Sequence, residues 1–382
     1  MRMQDKDTFA IDLLWLRVGK NGGSESYIRN ILDGMQETDR DFKAVLLVSK
    51  DNGYSFEHYA DDSRFVIHHC DVYSANVTKR MIWQNLHLRN TIRKLGIKKC
   101  YEPIYSIPFI RTGGVDFYTV IHDLQAKHFP EYFSKARCIW MDISWSNAVK
   151  KSKRIITISD YSREDISETY NISKDMVTMI HNPVSVSSLS EAEAIELIEG
   201  FGLGDKKFFF TVSSLLPHKN LETLLRAIEQ RKDSYKLVIA GVGGHLKGEL
   251  ENQINKKNLS DKVVILPFIK NEERDALYKC CNAFLFPSIF EGFGMPPIEA
   301  MLYDKHVITT KKTSLYEVTM GEAVYVDDPF DEKEWNEQID QVISGNPTVD
   351  FENRKISSVN NPYTKKTVAS NYLDVLLGNA RD

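Results

Sequence analysis

A chain of 382 residues exceeds what one hydrophobic core ordinarily supports, so two domains of common size are expected. Its 42% hydrophobic and 27% charged residues and mean hydropathy of -0.34 exclude a disordered chain, and no apolar run approaches the roughly 18 residues of a membrane-spanning helix. The net charge of -4 hides an asymmetry that makes the first half the basic one: residues 1–190 carry 26 Lys and Arg against 23 Asp and Glu, the rest 23 against 30.

Short β-branched and aromatic runs alternate with amphipathic stretches, the sequence form of a parallel sheet covered by helices. In the first half, 9–16 predicts a strand, 24–35 a helix, 43–49 and 65–70 strands, and 78–95 a helix. The alternation continues with strands at 115–122, 154–159 and 177–181 and helices at 134–150 and 162–170. Asn182-Pro183 and the serine-rich 184–190 then favour extended or turn backbone and predict a linker. The second half restarts with strands at 208–212, 236–240, 263–267, 283–286, 306–309 and 323–326. Helices are predicted at 220–231, 247–257, 271–280 and 297–302. The expected domains are 1–190 and 191–362, with a C-terminal helix within 363–382 packing back on the first. Two Rossmann-like doubly wound sheets of this kind bind ligands at the carboxyl ends of their strands, in an interdomain cleft.

Residues 1–10 are charged and lack the apolar stretch of a secretory signal, so a cytosolic protein is expected. Cys70, Cys100, Cys138, Cys280 and Cys281 are odd in number, show no CxxC spacing and read as structural thiols. The Asp-x-Asp triplets at 5–7 and 39–41 follow no strand, and no His/Cys cluster has zinc spacing, so neither a metal nor another cofactor is expected. No nucleic-acid partner is expected either. Arg89, Arg93 and Lys94 share part of one helix face, with Ile82, Leu86, Ile92 and Leu95 for the core side. That face reads as solvated or as a peripheral contact with an anionic membrane.

The most informative stretch is Phe290-Glu291-Gly292-Phe293-Gly294-Met295-Pro296-Pro297-Ile298-Glu299, directly after a predicted strand. A glycine turn lets backbone N–H groups approach a phosphate, and the following helix points its positive end at the same anion. Glu291 and Glu299 flank that turn as acceptors for hydroxyls, the layout a sugar nucleotide requires. A capping loop with a solvated glutamate is the plainer alternative. Gly22 and Gly23 open the first helix and suit a close approach to phosphate or sugar, or a simple turn. Gly241-Val242-Gly243-Gly244 misses a full GxGxxG because Leu246 stands at its last position, and reads as a turn lining a nucleotide pocket. His122 sits at a predicted strand end beside Asp123.

Glu291-Gly292-Phe293-Gly294 with Glu299 resembles the paired-glutamate motif of retaining glycosyltransferases, closest to glycosyltransferase family 4 with the GT-B fold. Gly22-Gly23-Ser24-Glu25, His122-Asp123, Ile158-Ser159-Asp160-Tyr161-Ser162, Pro217-His218-Lys219-Asn220-Leu221 and Gly241-Val242-Gly243 resemble the family in the expected order. The resemblance implies that Glu299 holds the donor ribose and Glu291 the transferred sugar. Phe293 and Gly294 would offer backbone to the phosphate with Met295 beside them, and His122 would lie near the transferred sugar and acceptor. Lys219 would meet the charge of the leaving nucleoside diphosphate; without the resemblance it reads as an ordinary helix-start residue. The family usually adds an arginine five residues before that lysine, where this chain has Ser214; either the serine hydroxyl or His218 is expected to compensate. The implied substrates are a nucleotide-sugar donor, GDP-mannose or a UDP-sugar, and a saccharide or polyisoprenoid-linked acceptor in capsule, O-antigen or exopolysaccharide assembly. Two alternatives stay open: a GT-B-like nucleotide-sugar epimerase, and a catalytically weak donor-binding subunit of a larger synthase.

Overall fold

The computed structural model describes residues 7–243, 245–266, 269–347, 349 and 354–379. The chain divides into two compact units, 1–183 with 363–382, and 184–362.

The first unit runs β1 (Thr8–Asp12), α1 (Gly23–Glu37), β2 (Lys43–Val48), β3 (Phe65–His69), α2 (Val77–Trp83), α3 (Arg89–Lys94), β4 (Lys99–Glu102), β5 (Asp116–Val120), α4 (Gln125–His128), α5 (Lys135–Lys151), β6 (Ser152–Thr157), α6 (Asp160–Tyr170) and β7 (Val177–Met179). Its seven parallel strands lie in the order β3-β2-β1-β4-β5-β6-β7. Alternate residues of β1 feed two buried layers, Phe9 and Ile11 on one face and Ala10 on the other, as a sheet covered on both sides demands.

The second unit runs α7 (Glu191–Glu199), β8 (Phe208–Val212), α8 (Leu221–Gln230), β9 (Lys236–Ala240), α9 (His245–Lys256), β10 (Val263–Leu266), α10 (Asn271–Cys280), β11 (Ala283–Phe286), α11 (Met295–Leu302), β12 (Val307–Thr310), α12 (Leu315–Val318), β13 (Val324–Val326) and α13 (Glu332–Ile343). Six parallel strands take the order β10-β9-β8-β11-β12-β13, so β8 and β11 occupy the centre. A last helix, α14 (Lys365–Leu377), belongs to the first unit and packs on α1. Val368, Ala369, Tyr372, Leu373 and Leu376 bury its inner face, and Lys365 Nζ meets Asp33 Oδ2 at 2.8 Å.

Several elements differ from the sequence reading. β4, between β1 and β5, has no counterpart among the predicted strands; it is four residues long and opens on Lys99, the second of two adjacent lysines. α7 and α13 were likewise not anticipated, although α7 starts with a capping box between Ser190 and Glu193. The first strand ends at Asp12, where Asp12 Oδ1 takes the N–H of Leu14 and turns the chain. The second unit begins at Val184 rather than after residue 190, because Ser187 already bonds Asp275 of α10 through both its N–H and its hydroxyl. Pro267, the end of one predicted strand, and Gly244 lie outside the described residues.

The predicted helix 78–95 is interrupted by a π-turn at Gln84–Leu88. The extra residue rotates the faces, leaving Ile82 54% and Leu95 39% exposed while Gln84, Leu88 and Ile92 are buried. Ile82 and Leu95 are therefore not core residues, and Arg89 is tied down by a 2.6 Å bond from Nε to Gly113 O. Cys70, Cys100 and Cys281 are buried free thiols, Cys138 and Cys280 half-buried ones. Among the described residues no helix is long and apolar enough to cross a membrane.

Candidate active site

In the second unit the central strand β11 ends at Phe286, and the chain turns through 287–294 into α11. Side chains at the end of β12 and just after it hold this turn. Thr310 Oγ1 donates to Ser288 O at 2.7 Å, Thr313 Oγ1 accepts from Glu291 N at 3.0 Å, and Ser314 Oγ donates to Glu291 O and Phe293 O at 2.9 and 2.8 Å. Gly294 closes it with φ 98°, and a Cβ there would stand 2.7 Å from Leu315 Cδ2, so backbone and space both require glycine. α11 then starts at Met295 with proline in its first turn, earlier than the predicted 297.

Lys219 reaches the same turn from β8. Pro217–Lys219 forms one 3-10 turn ended by Asn220 at φ 50°, whose Nδ2 donates to Pro329 O at 2.7 Å. Ile289 N donates to His218 O at 2.8 Å and fastens that loop to the β11 turn. The result is an ion pair of 2.6 Å between Lys219 Nζ and Glu291 Oε1, with both side chains largely buried and Nζ 5.7 Å from the Phe286 ring centre. Two residues 72 positions apart thus share one site. Burial holds the His218 pKa near 4, helped by the Lys219 cation, so this histidine is neutral at pH 7 and supplies no charge in place of the absent arginine. Ser214 is half-buried beside Ser213, and Gly241 abuts the same segment: at φ 94° its absent Cβ would lie 3.1 Å from Ser213 O. Gly243 lies half-buried in the loop between β9 and α9.

Glu299 lies buried on α11. Its Oε2 accepts from Tyr278 OH at 2.8 Å, and Oε1 stands 3.5 Å from Arg274 Nη2. Burial raises its pKa, and Arg274 and the Tyr278 hydroxyl pull it back. Sequence reasoning missed Arg274 and Tyr278, although their four-residue spacing on α10 puts them on one helix face. It also missed Thr310, Thr313 and Ser314, which lie in an unremarkable polar run.

In the first unit, α1 begins at Gly23 after Gly22 without a side-chain cap, and Glu25 Oε2 instead takes the N–H of Gly19 at 2.8 Å, steadying the preceding loop. His122 lies two residues beyond β5, not within it. Its ring stands edge-on to Tyr27 with centres 4.8 Å apart, its Nε2 is buried without a hydrogen-bond partner, and burial holds its pKa at about 4. His122 lines a cavity of about 480 Å³ with Asn21 and Ser24, the residues on either side of the Gly22-Gly23 pair. Among the described residues no group of three His, Cys, Asp or Glu side chains could hold a metal ion.

Residues 21–188 match the family described as Glycosyltransferase Family 4, and residues 194–357 the family described as Glycosyl transferases group 1. The O-antigen chain mannosyltransferase RfbU of Salmonella typhimurium is 29% identical over 238 residues, 62% of this chain and 63% of that protein. O-antigen chain mannosyltransferase B of Escherichia coli is 29% identical over 219 residues, 56% and 57% of the two chains. The matched spans therefore cover less than two thirds of those curated relatives. The crystal structure of Anabaena HepE in complex with UDP and glucose superposes with a TM-score of 0.65 at 17% identity, over 97% of this chain and 95% of that one, which shows a shared fold. With both halves matched in order, the chain belongs to the group 1 glycosyltransferases of family 4 and has their GT-B fold.

Proposed function

We propose that the chain transfers a hexose, with retention of anomeric configuration, from GDP-mannose or a UDP-sugar to a saccharide or polyisoprenoid-linked acceptor in surface-polysaccharide assembly. It would act in the cytoplasm at the inner membrane face, with the donor on the second unit and the acceptor on the first. The observation that carries this reading is the 2.6 Å Lys219–Glu291 pair at the glycine turn before α11. Donor entry splits the pair. Lys219 turns to the diphosphate, whose charge grows as the glycosidic bond breaks, and Glu291 accepts from hydroxyls of the sugar.

The backbone of Phe293, Gly294 and Met295 and the positive end of α11 face the same phosphate. Glu299, already oriented by Tyr278 and Arg274, accepts from the ribose, while Ser214, Gly241 and Gly243 line the nucleotide side. Gly22 and Gly23 leave room for a sugar or phosphate, and neutral His122 offers Nε2 to a sugar hydroxyl. On the retaining route the acceptor oxygen bonds C1 on the face that the leaving phosphate vacates. Its proton passes to a phosphate oxygen, so no enzyme nucleophile is used. The mannosyltransferase names of the two curated relatives favour a mannosyl donor.

Calorimetry with UDP, GDP, ADP and dTDP identifies the base, and labelled donor with and without membrane lipid extract then identifies the reaction. Label in a lipid or saccharide product is expected. Isomerised free sugar without acceptor would establish an epimerase instead, and binding without turnover a donor-binding subunit.

A further inference from the structure

Beside Glu299 lies an arginine with more donors than partners. Arg274 is the fourth residue of α10, and its Nη2 stands 3.5 Å from both Glu299 Oε1 and Asp275 Oδ1. Its Nε is buried without a hydrogen-bond partner, while the side chain as a whole keeps 29% exposure. A guanidinium carries five N–H donors in a fixed fork, and those on Nε and Nη1 make no hydrogen bond among the described residues. Donors left bare in a largely covered place cost stability, which a ligand bringing acceptors would restore.

The place of Arg274 in the second unit says which part of a donor it meets. A sugar nucleotide runs from sugar through diphosphate and ribose to base. Lys219 and Glu291 sit at the glycine turn before α11, Glu299 four residues into that helix, and Arg274 next to Glu299 on α10. α10 follows the edge strand β10, and between β10 and β11 lie β8 and β9, which lead into Ser214 and Gly241 on the nucleotide side. The order of these residues therefore puts the base at Arg274. A phosphate suits that place poorly, because two carboxylates 3.5 Å from one guanidinium leave net negative charge. Neutral acceptors meet no such penalty. Among the bases, guanine sets O6 and N7 side by side as acceptors, the pair that an arginine fork takes most often. Adenine sets an amino donor beside N7, and uracil separates its two carbonyl oxygens by an N–H.

We infer that Arg274 reads the base of the donor and selects guanine through O6 and N7, with Glu299 on the adjoining ribose. The inference rests on the transferase reading and narrows its donor to a guanosine diphosphate sugar. Were Arg274 only a counter-ion for Glu299 and Asp275, its replacement would weaken every nucleotide alike.

The test is calorimetry on the full chain with GDP, 7-deaza-GDP, UDP, CDP and ADP, titrated separately. GDP is expected to bind at least ~10-fold tighter than any of the others, 7-deaza-GDP included because it lacks the N7 acceptor. Arg274→Gln should weaken GDP binding by ~10-fold or more, abolish the difference between GDP and 7-deaza-GDP, and leave UDP affinity near the parent value. UDP, CDP, ADP or 7-deaza-GDP bound as tightly as GDP, or an equal loss of GDP and UDP affinity in the variant, would overturn the inference and leave the transferase reading standing. The comparison of GDP with 7-deaza-GDP uses the unaltered chain, so it decides the matter even if the variant does not fold. A chain that binds none of the five diphosphates would instead overturn the transferase reading itself.

Discussion

Glu299 is buried beside a half-buried arginine, so its removal tests two things at once. Glu299→Ala would take from Arg274 one of its two carboxylates, leaving only Asp275, and strip the Tyr278 hydroxyl of its acceptor, whereas Glu299→Gln keeps an acceptor for Tyr278 and removes only the charge. Glu299→Gln is expected to weaken nucleoside diphosphate binding by about 1–3 kcal/mol in calorimetry while Tm changes little; a sharp fall in Tm with donor affinity intact would assign Glu299 to structure alone. Lys219 has its partner in Glu291 before any donor arrives, so Lys219→Ala costs little ground-state binding. It should lower kcat by roughly 100-fold or more and leave KM for the acceptor nearly unchanged, because the leaving diphosphate is most charged in the transition state. Ser214→Arg is the companion: a gain in kcat would mark the serine as a lost cation, and a loss would show that the serine hydroxyl has its own role. Glu291 and Glu299 stood out by the glycine turn between them, whereas Lys219 stood out only through the family resemblance. Their partners were not legible, since Tyr278, Arg274 and Thr313 meet the site only through tertiary packing, which no local pattern records.

α14 shows how an element remote in sequence can support a site. The Tyr372 hydroxyl bonds that of Tyr27, which in turn lies 2.8 Å from Tyr101 OH, and the Tyr27 ring stands against His122. Tyr372→Phe deletes one member of a fully buried hydroxyl chain and should destabilise the first unit by about 1–2 kcal/mol in urea unfolding. Loss of no stability would mean that the three hydroxyls are not mutually satisfied. Legibility at this scale followed length and regularity. Strands such as β8, β9 and β11 were read at their observed limits because each is a short, mostly apolar run, closed in turn by Ser213, Gly241 and Pro287. β4 escaped because it offers four residues with a charged one at each end, Lys99 and Glu102, and its burial between β1 and β5 comes from the order of the sheet. The π-turn at Gln84–Leu88 escaped for another reason: one inserted residue leaves composition unchanged but moves Ile82 and Leu95 to the surface.

Across the whole chain, burial has set up two opposed proton inventories. His122 in the first unit and His218 and His306 in the second are each held near pKa 4 by burial, against the ordinary 6.5. Between those values an unfolded chain takes up protons that the fold refuses, so their contribution to stability is complete above pH 6.5 and is lost as pH falls toward 4. Asp12 and Glu102, fully buried on adjoining strands β1 and β4, behave in the opposite sense. Burial raises both, and the neighbouring Asp12 charge raises Glu102 further, to well above the usual carboxylate range. The fold therefore keeps a proton that the unfolded chain releases above its ordinary carboxylate pKa, and stability is lost as pH rises from there toward the folded value. Single changes separate the two inventories. Glu102→Gln, which retains an acceptor for Ser106 Oγ, should gain stability over the parent as pH rises above 4.5, by at most about 1.4 kcal/mol per pH unit. His306→Asn should show its gain only as pH falls below 6.5. Because Glu102 lies in the first unit and His306 in the second, urea unfolding at pH 4.5, 5.5, 6.5 and 7.5 should place the two effects in different transitions wherever the units unfold separately. A Glu102→Gln difference that stays constant over that range would mean that Glu102 is ionised in the fold, its charge met by a partner, and would remove the carboxyl half of the argument.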